Sequence, residues 1–135
     1  MDRDDRELHS GCTTVTRDEG AVDVSILMLF GMMAVLFAML LVFETTTYWH
    51  GRNVYNEAAV EGARVAAAFD GTCADGIAAA EKSVRQWAGT WAHDVHVSCT
   101  EGVVVTVTVA GTTPGVLGSA LGFTVRVSES APKER

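Results

Sequence analysis

The stretch from Gly20 to Phe43 constrains this chain more than any other. Between Val24 and Phe43, only Ser25 and Gly31 interrupt a run of Ile, Leu, Met, Phe, Val and Ala residues. A helix rises about 1.5 Å per residue, so the run would span roughly 30 Å, the thickness of the hydrocarbon core of a bilayer. No polar residue recurs every three or four positions, as it would on the surface helix of a soluble domain. The stretch is therefore predicted to be a transmembrane helix.

Basic residues near the two ends of the run predict its orientation. Three Arg residues precede it within the tail of residues 1–19, whereas Arg52 and Arg64 follow at larger distances. Lys and Arg are enriched on the cytoplasmic side of a membrane, and acidic residues count little. We therefore expect a cytoplasmic tail over residues 1–19, a single span over residues 20–43 and a C-terminal domain outside the cytoplasm.

The helical pattern continues beyond Phe43. Val54, Ala58, Val65 and Phe69 recur at helical spacing, and no Pro interrupts this segment. The sequence Asp-Gly-Thr over residues 70–72 then supplies a stop signal for the helix. The membrane helix is therefore predicted to continue outward as a stalk to about residue 69.

A second helix is predicted from residue 74 or 75 to about residue 92. Apolar residues recur there at intervals of three and four, with Trp87 and Trp91 as the largest candidates for the core. Apolar and polar residues then alternate over 95–99, 103–109 and 123–127, which predicts three strands. Glu101 and Gly102 form a short connection that predicts a hairpin.

These elements predict an α+β fold. Its parts are a long N-terminal transmembrane and stalk helix, a second helix and a three-stranded antiparallel sheet whose apolar face the helices cover. We place the extracytoplasmic domain at residues 70–129 and a polar tail at residues 130–135. The segment from Ala110 to Gly122 is predicted to be a loop, and its apolar residues leave three roles open: packing on the domain, touching the membrane or meeting a partner.

The sequence carries no recognisable arrangement for catalysis or cofactor binding. The segment Gly118-Ser119-Ala120-Leu121-Gly122 has the wrong spacing for a nucleophile elbow, and the nearby glycines fit neither a phosphate-binding loop nor a dinucleotide fingerprint. A net charge of −7 and scattered basic residues argue against a nucleic-acid partner. We expect no enzymatic activity, no cofactor and no small-molecule substrate.

Cys73 and Cys99 form a candidate disulfide. Both fall on the predicted outer side, where thiols can be oxidised, and a bridge closing about 25 residues would stabilise the fold by roughly 3 kcal/mol. Two buried free thiols are the alternative. A metal site with His93 and His96 is not expected, because His96 and Cys99 would point to opposite faces of one strand.

The order of features resembles a known family. A charged tail ends in Arg17-Asp18-Glu19-Gly20 directly before the apolar helix, and the stalk reads Ala59-Val60-Glu61-Gly62-Ala63-Arg64. This is similar to the TadE-like proteins of tight-adherence (Flp-type) pilus systems, in which an A-x-E-G-A-R stretch follows the membrane helix. The resemblance covers most of the chain after residue 17, and its motif residues here are Glu61, Gly62, Ala63 and Arg64.

The resemblance implies a minor pilin-like or pseudopilin component of a bacterial cell membrane. Its partners would be membrane lipid and other proteins of the pilus or secretion apparatus. Because the family resembles prepilins, it also implies a candidate processing bond between Gly20 and Ala21. The family pattern has Glu at the fifth position after that bond, whereas this chain has Ser25 there and Asp23 at the third.

The sequence also leaves a second function open. A membrane-anchored extracytoplasmic binding or sensor module would share the same predicted span and domain. In that interpretation, the predicted loop from Ala110 to Gly122 would be the contact surface.

Overall fold

The fold is known from a computed structural model that describes residues 18–116 and 118–134. Its elements are the helices α1 (Asp18–Ala67) and α2 (Cys73–Ala88) and the strands β1 (His93–Thr100), β2 (Val104–Gly115) and β3 (Gly118–Pro132). The strands form one antiparallel sheet in the order β1-β2-β3. The predicted α+β class, with two helices followed by a three-stranded antiparallel sheet, is confirmed.

Helix α1 takes part in two compact units, which divide between Phe37 and Ala38. In the first unit, every side chain from Asp23 to Phe37 is exposed, including the large apolar ones. Among the residues that the structure describes, α1 is the one helix long and apolar enough to cross a membrane. This property rests on the length and composition of the helix.

In the second unit, α1 presents a buried face of small residues. Ala58 and Ala59 are fully buried, Ala63 and Ala66 are nearly so, and Val54 lies one turn earlier. Residues three and four positions apart share one face of a helix, so these side chains form a continuous stripe. Most of the stripe belongs to one buried cluster with valines of β2 and β3. Its short side chains let the sheet approach the helix axis closely.

Tyr55 is the largest fully buried side chain on this stripe. Its hydroxyl donates a hydrogen bond to the carbonyl oxygen of Thr112, at 3.1 Å, and burial raises the pKa of that hydroxyl. A Cβ placed on Gly111 would lie 2.6 Å from the Tyr55 hydroxyl oxygen. The strand therefore needs glycine at this position, where an aromatic ring from the helix rests on its backbone.

Helix α2 packs against α1 through two glycines. A Cβ placed on Gly62 of α1 would lie 2.8 Å from the carbonyl oxygen of Gly76 and 2.9 Å from the Cβ of Ala80, both on α2. Such separations are too short for ordinary van der Waals contact, so the helices can approach this closely only without a side chain at residue 62. Gly62 therefore permits the close approach of the second helix.

The position of Trp87 in the core was predicted wrongly. Helix α2 ends at Ala88 rather than near residue 92, and its buried positions are Gly76, Ala80, Val84 and Ala88. Trp87 lies about 100° from Ala88 around the helix and is 65% exposed. Trp91 lies beyond the helix, where its half-buried ring packs against the core at 6.1 Å from the Tyr55 ring.

The prediction that the segment from Ala110 to Gly122 forms a loop is also wrong. Strand β2 continues to Gly115 and β3 begins at Gly118, so most of the segment is paired in a long hairpin. The inward positions of this part of β2 are Gly111, Thr113 and Gly115. Small and polar residues fill them because α1 lies so close, and this removes the apolar alternation that identifies a strand in a sequence.

The C-terminal end of β3 extends three residues beyond Glu129, to Pro132. The residues that follow are tied to the end of α1: Lys133 Nζ donates to the carbonyl oxygens of Ala66 and Gly71. The backbone N–H of Glu134 donates to the carbonyl oxygen of Ala67, at 2.9 Å. The bonds to Ala66 and Ala67 satisfy carbonyl groups that the end of a helix leaves without intrahelical partners, and the bond to Gly71 fixes the connection that follows α1.

The contact between the two glycines predicts a large effect of a single methyl group. We expect Gly62→Ala to lower the free energy of unfolding of the outer domain by about 1–3 kcal/mol, because the added Cβ overpacks the helix contact. Urea unfolding of the full chain in detergent micelles, followed by tryptophan fluorescence, measures this change.

The matched control is Gly102→Ala in the β1–β2 turn. There the closest atom to an added Cβ is the Val104 carbonyl oxygen, at an ordinary 3.4 Å. We expect its free energy of unfolding to stay within about 0.5 kcal/mol of the parent value. Equal urea midpoints for the two variants would contradict the proposed role of Gly62.

Candidate functional site

The Glu61–Arg64 pair lies on the outward side of α1, one helical turn apart. The Arg64 guanidinium donates from Nε to Oε2 of Glu61 at 3.0 Å and from Nη2 to Oε1 at 2.9 Å. These hydrogen bonds lower the pKa of the Glu61 carboxyl and raise that of Arg64. The Arg64 side chain is 73% exposed, so the pair contributes little to stability and mainly fixes two opposite charges on the surface.

The four motif residues therefore divide between two faces of α1. Gly62 and Ala63 are buried, whereas Arg64 is exposed and Glu61 is half-buried. The four residues are consecutive in the sequence, but they have different roles in the structure. The small residues pack the helix into the domain, and the charged residues lie at its surface.

A groove of about 620 Å³ runs beside this motif, between α1 and α2. We call it the α1–α2 groove. One wall comes from α1 and the other from α2; the lining residues are His50, Asn53, Val54, Glu57, Glu61, Ala79, Lys82, Ser83, Gln86 and Trp87. The α1 wall carries two carboxylates, and the α2 wall carries an ammonium group and an exposed indole.

The start of α2, which positions that second wall, is fixed by a capping box. The backbone N–H of Asp75 donates to the Thr72 hydroxyl at 3.2 Å. In return, Thr72 donates to the Asp75 carboxylate from its hydroxyl, at 2.6 Å, and from its backbone N–H, at 3.1 Å. These bonds satisfy donors that a helix start leaves free, and they lower the pKa of the Asp75 carboxyl.

Cys73 and Cys99 are joined by a disulfide, with their Cα atoms 5.5 Å apart. The bond ties the first residue of α2 to β1. Next to it, the backbone N–H of Cys73 donates to Oε1 of Glu101 at 2.8 Å. Both contacts attach the N-terminal end of α2, where the capping box lies, to the sheet.

The groove offers charged, hydrogen-bonding and apolar groups. Its polar groups are carboxylates, amides, a hydroxyl, an imidazole and an ammonium group along two open walls. Within residues 18–116 and 118–134, no group of three or more His, Cys, Asp or Glu side chains could hold a metal ion. An exposed Trp beside charged groups is typical of the residues that carry most of the energy at protein interfaces.

The candidate processing bond between Gly20 and Ala21 lies inside α1, shortly after the helix begins at Asp18. The predicted cytoplasmic tail covers residues 1–19, of which 1–17 fall outside the described part of the chain and the last two begin α1. That tail and its location stay predictions.

Sequence reasoning missed three residues that make long-range contacts. They are Tyr55, whose hydroxyl reaches β2; Lys133, which reaches the end of α1; and Glu44, whose carboxylate accepts a hydrogen bond from the Val116 N–H at 2.8 Å. The partners of Glu44 and Lys133 lie more than sixty positions away along the chain. Local periodicity carries no signal for such pairs.

Comparison of the chain with protein-family models, with curated proteins and with solved structures finds no match.

The capping box predicts a specific dependence of stability on pH. Because the pKa of Asp75 is lower in the folded chain, its stabilising contribution is complete above the ordinary value near 3.8 and is lost as the pH falls through the folded value. We expect Asp75→Asn to make urea midpoints less sensitive to pH in this acidic range. Some pH dependence of stability remains in this variant, because the pKa of Glu61 is also lowered in the folded chain.

Asp70→Asn is the matched control, since Asp70 lies just before the capping box and outside it. We expect this variant to keep the pH dependence of the parent chain. The role assigned to the Asp75 carboxylate would be contradicted if the urea midpoints of Asp75→Asn and the parent chain differed by a constant amount from neutral pH down to pH values below the ordinary pKa of an Asp carboxyl.

Proposed function

We propose that this chain is a single-pass membrane protein of the TadE-like kind, acting as an assembly or minor pseudopilin component of a pilus or secretion apparatus. The observation that carries the proposal is that α1, from Asp18 to Ala67, joins an apolar run to the motif-bearing segment that packs the domain. The Glu-Gly-Ala-Arg motif at residues 61–64, with its family resemblance, supports this proposal.

In the proposed arrangement, the apolar run crosses a bacterial cell membrane with the N-terminus in the cytoplasm. The surplus of Arg residues before the run supports this orientation. The disulfide between Cys73 and Cys99 supports an extracytoplasmic domain, because such bonds persist in oxidising compartments. The protein would act through helix packing in the membrane and through protein contacts outside it.

We assign the α1–α2 groove as the surface for those outside contacts. Trp87 is 65% exposed at its edge and makes no contribution to the buried core. The groove also carries Glu57 and Glu61 opposite Lys82. A protein partner with a basic and apolar segment matches this distribution of charge and apolar surface.

A genetic test uses a strain that carries this gene and assembles pili. Deletion is expected to abolish pilus assembly and surface adherence, and the full-length gene should restore both. Complementation with Trp87→Ala should restore them poorly, since losing an interface Trp costs about 2 kcal/mol or more of binding energy, about thirtyfold in affinity.

Val103→Ala is the matched control for this test. Val103 is 75% exposed in the β1–β2 connection and lies outside the groove. We expect it to complement fully at the same protein level as Trp87→Ala. Normal pili in the deletion strain would overturn the proposed function, whereas full complementation by Trp87→Ala would overturn only the role of the groove.

The state of the N-terminus is a separate prediction. Because Ser25 replaces the Glu that the family pattern places after the candidate bond, we expect the tail before Ala21 to stay attached. Intact-mass spectrometry of the protein purified from its native membrane measures this directly. A mature chain that begins at Ala21 would contradict the prediction and would favour processing of the prepilin kind.

A further inference from the structure

The turn between β2 and β3 lies beside the end of the apolar run. Glu44 directly follows Phe43, the last residue of that run. The Glu44 carboxylate accepts a hydrogen bond from the backbone N–H of Val116, at 2.8 Å. This bond fixes the turn at the level of α1 where the apolar residues end.

Two further contacts hold the same end of the hairpin along α1. The rings of Tyr48 and Phe123 meet edge to face, with centroids 5.9 Å apart. One turn further along α1, Gly51 lies so close to Thr113 that an added Cβ would overlap its side chain. At the other end of the hairpin, Lys133 is bonded to the end of α1. The hairpin therefore lies along the part of α1 from Glu44 to Ala67, with its turn beside Glu44.

Charge is distributed unequally along this hairpin. From Gly102 to Val125 no residue is Asp, Glu, Lys, Arg or His. Arg126 lies midway along the hairpin, and the other charged residues lie toward the end that is remote from the turn: Glu101, Glu129, Lys133 and Glu134. At the turn end, Val116 and Phe123 are each 40% exposed. We call these two residues the tip patch.

We infer that the tip patch inserts into the outer interface of the bilayer, so that the domain touches the membrane at a second point besides its helix. The inference rests on the membrane span of the proposed function. Its partner is lipid, because the patch continues the apolar surface of α1, where Phe43 is 57% exposed. Trp49, 56% exposed just beyond Glu44, is a residue type that concentrates at the same interface.

The residue types of the tip patch indicate which interaction would hold it in the lipid. It carries no cation that would bind an anionic headgroup, so the attraction comes from burial of apolar side chains at the boundary between headgroups and acyl chains. Insertion should therefore occur in zwitterionic phosphatidylcholine and should not require anionic lipid or low salt.

Spin-label depth measurements test this inference with the full chain in phosphatidylcholine nanodiscs. The third cysteine of the sequence, Cys12, is replaced by Ser so that the label reacts only with an introduced thiol, and the Cys73–Cys99 disulfide is kept intact. Single nitroxides are then attached at Val116→Cys, Val103→Cys and Leu36→Cys. Val103 is the matched control, an exposed valine at the opposite end of the hairpin. The Val116 substitution leaves the backbone N–H that bonds to Glu44 in place.

We expect the Val116 label to lie about 5–10 Å below the phosphate level, as interfacial apolar groups do, and to favour oxygen over an aqueous nickel quencher. The Val103 label should be fully accessible from water, and the Leu36 label should lie deep in the hydrocarbon. The depth at Val116 should be the same after adding phosphatidylglycerol or salt.

Two results would overturn the inference in different ways. A Val116 label as accessible to aqueous nickel as the Val103 label, with the Leu36 label in lipid, would remove the tip contact and leave the span intact. A Leu36 label in water would remove the span of the proposed function and the tip contact with it. Insertion at Val116 that appears only with anionic lipid would refute the apolar mechanism.

Discussion

The close approach of α1 to its neighbours is the constraint on which the rest of the domain depends. Ala58 and Ala59 expose nothing to solvent, and Gly62 meets the backbone of Gly76. With so little side-chain volume on the helix, α2 and the sheet both pack near its axis. A larger residue at Ala58, Ala59 or Gly62 would push α1 away from a neighbour and leave voids that close-packed interiors do not tolerate.

This close packing explains how a small domain is held together with few large side chains. Tyr55 and three valines of β2 are the main bulky groups in the core. Other contacts supplement them: the disulfide and the capping box fix the start of α2, and Lys133 holds the C-terminus to the end of α1. Small domains bury a limited fraction of their surface, so covalent and polar links of this kind count for more.

The same geometry gives the domain two distinct exposed surfaces. Glu61 of the Glu-Gly-Ala-Arg motif and Trp87 belong to the groove between the helices, which we propose as a protein contact. The uncharged turn of the β2–β3 hairpin lies beside Glu44, and we infer that this turn contacts lipid. In these two proposals, proteins and lipid would contact different parts of one fold, with α1 as their common support.

The local pattern of apolar residues predicted most of the fold. Periods of 3.6 and 2 identified two helices and three strands in order, because amphipathic elements repeat with the geometry of their backbone. The pattern gave a wrong prediction where close packing against α1 requires small residues at positions that large apolar residues usually occupy. Gly111 and Thr113 were assigned to a loop for this reason, although both lie inside β2.

The sequence by itself determined the long apolar helix and the α+β class, since both depend on residues that are neighbours along a helix or strand. Only the tertiary structure decided that Trp87 faces outward, because the rotation of α2 is set by its glycine contact with α1. It also decided the meeting of Glu44 with Val116. Contacts between distant residues depend on how packed elements align, which no local repeat encodes.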